Sequence, residues 1–328
     1  MKAAALLEHY HPHHIDHFAP LCYFLKIPLL TLNDEIFELT KKEYPYLEIK
    51  KIDRFTPFYP YLAHNYDMLF ITLKHKPFEL ICQLRFYNQK MQIIYIPHGN
   101  SDKASYSSLF DPFPVQEKAL IYGEQMAEAA KLNHIRMGNM RLKLYQTLKP
   151  SIPLSLPPHK KTILYAPTWH EETRPSTLLD TTLPLIQSLP ADVELLIKFH
   201  PMSYNNALAQ IITIKEQTQN HPGIHFIENT HAIYPLLAAC DAYLGDYSSI
   251  GYDFLSFDKP LFFFNPLNLK NLSLQKVGLT ITDPKQTFEQ IEKHNPNDYA
   301  YLRKKLYDYT FDPPIDPERL KSQILTQF

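Results

Sequence analysis

Apolar residues gather in short continuous runs separated by amphipathic stretches. Ala3 to Leu7, Ile27 to Leu32, Met68 to Leu73, Ile93 to Ile96 and Ala119 to Tyr122 are too short for helices and do not alternate with polar residues. That is the pattern of parallel strands covered on both faces. Between them, His17 to Leu25, Asn33 to Lys41 and Pro77 to Phe86 have helical spacing, with Asn33 placed to cap the second helix. Lys149 to Pro158 cannot hold a helix or a central strand, because proline lacks a backbone donor and clashes with the preceding turn. Beyond it the rhythm resumes: strands at 162–166, 193–199, 224–227, 242–245 and 261–264, with helices near 177–188, 204–218, 231–239 and 248–256. The tail has helical spacing in Tyr299 to Tyr309 and Pro317 to Leu325. This predicts an α/β protein of two doubly wound Rossmann-like domains facing across a cleft. The first domain takes residues 1–148, a proline-rich linker 149–160, the second domain 161–295 and a helical tail 296–328. No internal repeat or low-complexity tract interrupts the pattern.

Four strands end in polar residues. Ile93 to Pro97 runs into His98-Gly99-Asn100-Ser101-Asp102-Lys103, and Thr162 to Pro167 into Thr168-Trp169-His170-Glu171. Leu195 to Phe199 runs into His200-Pro201, and Ala242 to Leu244 into Gly245-Asp246-Tyr247-Ser248-Ser249. In open α/β sheets ligands sit outside the carboxyl ends of the strands, so these exits are expected to serve one cleft. The exit at Gly245 opens a helix, where unpaired backbone N–H groups and the helix dipole favour an anion. Gly99, Gly138, Gly245 and Gly251, four of only seven glycines, lie in or beside these turns, where backbone can approach a ligand.

Composition narrows the function by exclusion. A chain of 328 residues that is 45% hydrophobic and 20% charged has material for two packed cores. A formal net charge of −1 gives no global field for nucleic acid or an anionic bilayer, so any phosphate site must be local. No apolar run reaches the roughly 18 residues of a membrane span, and no signal peptide opens the chain, which points to the cytosol. Cys22, Cys82 and Cys240 are odd in number and far apart, as expected of reduced thiols.

Five motifs, "PHGNSDK" (Pro97 to Lys103), "YAPTW" (Tyr165 to Trp169), "IKFHP" (Ile197 to Pro201), "GDYSSIGYDF" (Gly245 to Phe254) and "DKPLFFFNP" (Asp258 to Pro266), resemble the CDP-glycerol glycerophosphotransferase family in the family's order. The resemblance covers roughly residues 90 to 270. It implies a glycosyltransferase-B-like architecture and transfer of glycerol phosphate, or a related polyol phosphate, from a CDP-activated donor to a hydroxyl, with release of CMP, as in teichoic-acid-like polymer synthesis. The nucleotide is then a substrate, and no tightly bound cofactor is expected. The acceptor bears phosphate and is lipid-linked or otherwise carried. A lipid-linked acceptor would bring the protein to the inner face of the membrane for peripheral contact, although no strongly basic amphipathic helix announces it.

The resemblance distributes roles. Phosphoryl-type transfer leaves the protein mainly positioning and electrostatics, plus a base for the hydroxyl. His98 is the expected base, with His200 the second catalytic histidine. Ser248, Ser249, Lys198, Thr168, Asp246 and Arg141 are assigned to the donor and its phosphates, Asp246 more as an organiser of its loop than as a phosphate contact. Lys103, Ser101, His14 and His17 are assigned to the acceptor side, and Asp253 and Gly99 brace the site. The tail is expected to pack back across the first domain. One departure stands out: the family's Gly-x-Pro-Arg-x-Asp turn is Gly138-Asn139-Met140-Arg141-Leu142-Lys143 here, without the proline or the carboxylate.

His9, His11, His13, His14 and His17 fit no closed tetrahedral spacing and no cysteine joins them, so a metal is not expected. Two other readings stay open: a nucleotide-sugar glycosyltransferase or epimerase of the same architecture, and a catalytically degenerate member that binds nucleotide or a partner without turnover.

Overall fold

The computed structural model describes residues 2–72, 77–102, 110–111, 117–152, 154–169, 176–228, 230–265 and 272–327. The chain forms two compact units. The first comprises Met1–Asn100, Ala104–Lys149 and Asp308–Phe328, and the second Ser101–Lys103 and Pro150–Tyr307.

The first unit is built on a seven-stranded sheet: β1 (Ala3–Leu7), β2 (Leu29–Thr31), β3 (Ile49–Lys51), β4 (Met68–Ile71), β5 (Gln92–Tyr95), β6 (Lys118–Ile121) and β7 (Asn133–Arg136). Their order is β3-β2-β1-β4-β5-β6-β7 and every pairing is parallel. All of β1 and β4 is buried, as continuous apolar strands at the centre of a doubly wound sheet must be. The predicted strands all form, within a few residues of the expected ends. β3 and β7 escape the sequence pattern because they are the two edges: with one flank uncovered they carry Lys50, Lys51, Asn133 and Arg136, and no apolar run marks them. Helix Asp34–Glu43 starts as predicted, its first turn closed by Asn33 Oδ1 accepting from Ile36 N at 3.0 Å.

The last stretch of chain completes this unit. Asp312 N donates to Tyr122 O at 2.9 Å, Asn139 N to Asp312 O at 3.1 Å and Ile315 N to Met137 O at 3.0 Å. Arg136 grips the Asp312 carboxylate with two bonds of 2.6 Å, the fork-to-fork geometry that favours arginine. Gly138 sits under this crossing with φ +72°, and a Cβ there would collide with the Pro313 carbonyl.

The second unit has a six-stranded parallel sheet of β8 (Lys161–Tyr165), β9 (Val193–Ile197), β10 (Ile224–Phe226), β11 (Ala242–Gly245), β12 (Leu261–Phe264) and β13 (Leu279–Ile281). The order is β10-β9-β8-β11-β12-β13. β11 and β12 match the predicted spans, whereas the expected helix at 204–218 divides into Pro201–Asn206 and Leu208–Thr218. The core lies between sheet and helices, with Ile163, Leu195, Leu244, Phe262 and Leu185 fully or almost fully buried. In each sheet the strand order reverses once, at β1/β4 and at β8/β11, and a crevice at that switch is where doubly wound sheets receive ligands. Among the described residues no helix is long and apolar enough to cross a membrane.

Candidate functional site

In the first unit, the carboxyl ends of β1, β4, β5 and β6 are adjacent, and each delivers a polar group to the same place. β1 leads through a short turn (Pro12–His14) into helix Ile15–Leu25, which brings His11, His13, His14 and His17 together. β5 leads to His98. The His14 and His98 rings are 4.5 Å apart, His13 and His14 4.4 Å, and His17 and His98 6.5 Å. His14 Nδ1 lies 2.8 Å from the Thr72 hydroxyl at the end of β4. Among the described residues no group of three or more His, Cys, Asp or Glu is arranged to hold a metal ion.

The protonation of this cluster follows from its surroundings. Burial holds the His14 imidazole well below the usual histidine range, helped by the neighbouring His98, His13 and His11. His17 is lowered for the same first reason, then by the Arg141 guanidinium and by its histidine neighbours. Arg141, 6% exposed, reaches the Asp16 carboxylate at 3.2 Å, so the residue expected to serve the donor belongs to the histidine cluster of its own unit. Tyr122, immediately after β6, donates its hydroxyl proton to the Pro97 carbonyl at 2.6 Å. That proton is its only one. Toward His17 Nδ1, 2.7 Å away, Tyr122 must therefore accept, which places the hydrogen of the neutral His17 ring on Nδ1.

Two neutral buried histidines make stability pH-dependent. Their folded pKa lies below the unfolded value near 6.5, so below that pH the unfolded chain binds more protons and stability falls as the solution is acidified. The expected slope is at most about 1.4 kcal/mol per pH unit for each histidine. Urea midpoints measured between pH 7.5 and 5 should fall, with a shallower fall in the double variant His14→Gln, His17→Gln; equal slopes would contradict the assignment.

In the second unit, Asp246 occupies the switch point between β8 and β11 and is fully buried. Its carboxylate accepts from Thr168 N at 2.9 and 3.1 Å, from Tyr247 N at 2.7 Å and from the Thr177 hydroxyl at 3.2 Å. It thereby joins the exits of both strands to the start of helix Leu178–Gln187, and Ser176 adds a 2.5 Å bond to the Thr168 carbonyl. This is the organiser's place. Thr168, 2% exposed, offers its backbone to that carboxylate.

Around this frame lie the other expected donor-side residues. His200 caps helix Pro201–Asn206, its Nδ1 accepting from Met202 N at 3.1 Å, so the neutral ring carries its hydrogen on Nε2. The Trp169 ring lies 6.2 Å from it. Lys198 donates to the Thr230 carbonyl at 2.8 Å. Ser248, 4% exposed, and Ser249 open the one-and-a-half-turn helix Ser249–Phe254, in which Asp253 is buried. Gly245 and Gly251 have a different reason from the expected one. Neither has positive φ; they make room for the Tyr243 ring and, at Gly251, for Leu274 as well. Positive φ occurs instead at Gly99, 122°, and at Gly138.

Ser101 belongs with the second unit, as does Asp102, whose carboxylate accepts from the Tyr252 hydroxyl at 2.9 Å and Leu274 N at 3.0 Å. Lys103, expected on the acceptor side, lies outside the described residues. Sequence reasoning missed Thr72 and Tyr122. Both are the first polar residue after a buried strand, the same signal that marked His98 and Thr168.

Residues 146–270 match the model of the family described as CDP-Glycerol:Poly(glycerophosphate) glycerophosphotransferase. The teichoic acid glycerol-phosphate primase of Bacillus subtilis (strain 168) is 36% identical over 121 residues, 37% of this chain and 29% of the primase, so the chain spans under a third of that relative's length. Among solved structures, the wall teichoic acid polymerase TagF superposes with a TM-score of 0.67 at 15% identity, covering 99% of this chain and 88% of TagF. Anabaena Alr3699/HepE in complex with UDP-glucose gives 0.56 at 13%, covering 99% and 98%. The fold is thus that of these glycosyltransferase-B-like proteins. The matched residues 146–270 hold the exits of β8, β9 and β11, and the family they match is the one that the chain's motifs resemble.

Proposed function

We propose that this protein transfers glycerol phosphate from CDP-glycerol to the hydroxyl of a phosphate-bearing acceptor and releases CMP. The observation that carries the reading is the family match across 146–270, which contains the exits of β8 and β11 that Asp246 ties together at the switch point of the second unit. In the reaction the acceptor oxygen forms a bond to the β-phosphorus, its proton passes to His98, and the bond from that phosphorus to the bridging oxygen breaks, so that CMP leaves with the electron pair. His200 suits the departing side, because an Nε2–H is a donor to oxygen that gains charge. Lys198, Ser248 and Ser249 complete the donor site and Thr168 shapes it. Arg141 acts from the acceptor side with His14 and His17, lending positive charge without protonating them. Ser101 and Lys103 extend that side. Asp253 and Gly99 brace the two sites.

HepE, with its UDP-glucose, motivates the second reading, a nucleotide-sugar donor. The test is CMP release from purified protein given CDP-glycerol, CDP-ribitol or UDP-sugars with free or lipid-linked glycerol phosphate. CMP from a CDP-polyol alone supports the proposal, and turnover of a UDP-sugar alone replaces it. Nucleotide binding without turnover of any donor would make the protein a binder.

A further inference from the structure

The hydroxyl of Tyr122 lies between two elements of the histidine cluster. It gives its single proton to the carbonyl of Pro97, the residue before His98, and takes a proton from His17 Nδ1. The peptide that carries His98 away from β5 is therefore held from the neighbouring strand's end, one residue past the bond that Ile96 N gives to the Ile71 carbonyl of β4 at 2.8 Å. Gly99, with φ 122°, follows immediately. A histidine flanked on one side by a residue in a conformation reserved for glycine needs its orientation fixed on the other. Tyr122 is itself held: it is 2% exposed, its backbone carbonyl accepts from Asp312 N at 2.9 Å, and its ring packs 5.8 Å from that of Phe311. His17 in turn is fixed on helix Ile15–Leu25 and buried, so the hydrogen bond it gives to Tyr122 has a definite direction.

We propose that Tyr122 is a positioning residue for His98: its hydroxyl, oriented by His17, clamps the Pro97 carbonyl and thereby sets the direction of the His98 imidazole. This rests on the reading of His98 as the base of the transfer. Tyr122 touches neither substrate nor the reacting atoms in this role; it acts through the peptide plane. A base must meet its hydroxyl within hydrogen-bond reach, and a misplacement of about 1 Å can cost about a hundredfold.

Tyr122→Phe keeps the ring and its packing and removes only the hydroxyl. The experiment compares wild type, Tyr122→Phe, His98→Ala and the double variant in CMP release from CDP-glycerol, with 15N-histidine NMR of the same proteins. Expected for Tyr122→Phe is a kcat lower by about ten- to a hundredfold with donor KM changed by less than about twofold, and no further loss when it is added to His98→Ala. The Nδ1–H signature of His17 should disappear with the hydroxyl. A wild-type kcat in Tyr122→Phe overturns the proposal, and so does a loss shared by donor affinity and melting temperature, which marks a merely structural tyrosine. Wild-type protein that releases no CMP refutes the transfer reading instead. In that event, His17 and His98 signals unmoved by Tyr122→Phe would still refute the clamp.

Discussion

His98→Ala is expected to lower CMP release from CDP-glycerol by about 10²–10⁴-fold, the range that a positioned general base contributes. The physical case rests on what surrounds the ring. His98 leaves the end of β5 beside His14, 4.5 Å away, and His14 and His17 are kept neutral by burial. A neutral environment lined with imidazoles leaves room for one more proton, and in the proposed mechanism Arg141 balances negative charge on the acceptor without giving up its own proton. Loss of the base should appear in kcat, because the hydroxyl must still be deprotonated but no group is placed to do it. Nucleotide affinity should stay within about twofold, since the donor-side residues are held by their own network at the β8/β11 switch. A His98→Ala protein with wild-type kcat would remove the base from the proposed mechanism. A variant that lost nucleotide binding as well would point to a collapsed fold, which circular dichroism separates from a chemical defect.

The largest stability effect is expected at Asp246. Asp246→Ala leaves Thr168 N, Tyr247 N and the Thr177 hydroxyl without the acceptor they share in the interior. Each orphaned buried donor costs about 1–3 kcal/mol, so a total of about 3–5 kcal/mol is expected even if one donor finds another partner. For a unit of this size that corresponds to a melting temperature lower by roughly 10 °C. Asp246→Asn is not a gentle alternative: with one oxygen replaced by an NH2 group, a donor faces donors in a pocket built for an acceptor. It should fall between alanine and wild type. Nucleotide binding should weaken in both variants, since the exits of β8 and β11 would no longer be tied together. An unchanged melting temperature in Asp246→Ala would show that water or a rearranged loop can replace the carboxylate, and the switch-point frame would have to be redrawn.

What could be read from the amino acids follows the physics of burial. Central strands such as Ala3–Leu7 and Leu261–Phe264 are apolar on both faces, and their composition alone betrays them. Edge strands such as Ile49–Lys51 and Asn133–Arg136 answer to one neighbour only, so their side chains obey solvent and the pattern is lost. The candidate site was legible where it depended on position, since His98, Thr168, His200 and Asp246 each follow a buried strand. It was illegible where it depended on which groups meet. Nothing in the spacing of Asp16 and Arg141, or of His17 and Tyr122, shows that they pair, because those distances are fixed only once helix Ile15–Leu25 has packed against its sheet. The same limit hid the partners of Arg141, which pairs with Asp16 beside His17.

The first unit is discontinuous in sequence: Asp308–Phe328 returns to it after the whole of the second has been made. On a ribosome this imposes a waiting time. At synthesis rates of about 5–20 residues per second, the interval between Lys149 and Asp308 lasts roughly 8–30 s, far longer than most local folding events. During that interval Met137 and Tyr122 still lack the hydrogen bonds that Ile315 and Asp312 will supply, and Arg136 lacks its carboxylate. The second unit, apart from its short Ser101–Lys103 insert, is nearly contiguous and can therefore close first. The nascent chain thus holds a first unit whose sheet is made but whose closing segment is missing until Asp308 and the residues after it emerge, and it is in that window that chaperones would have most to protect.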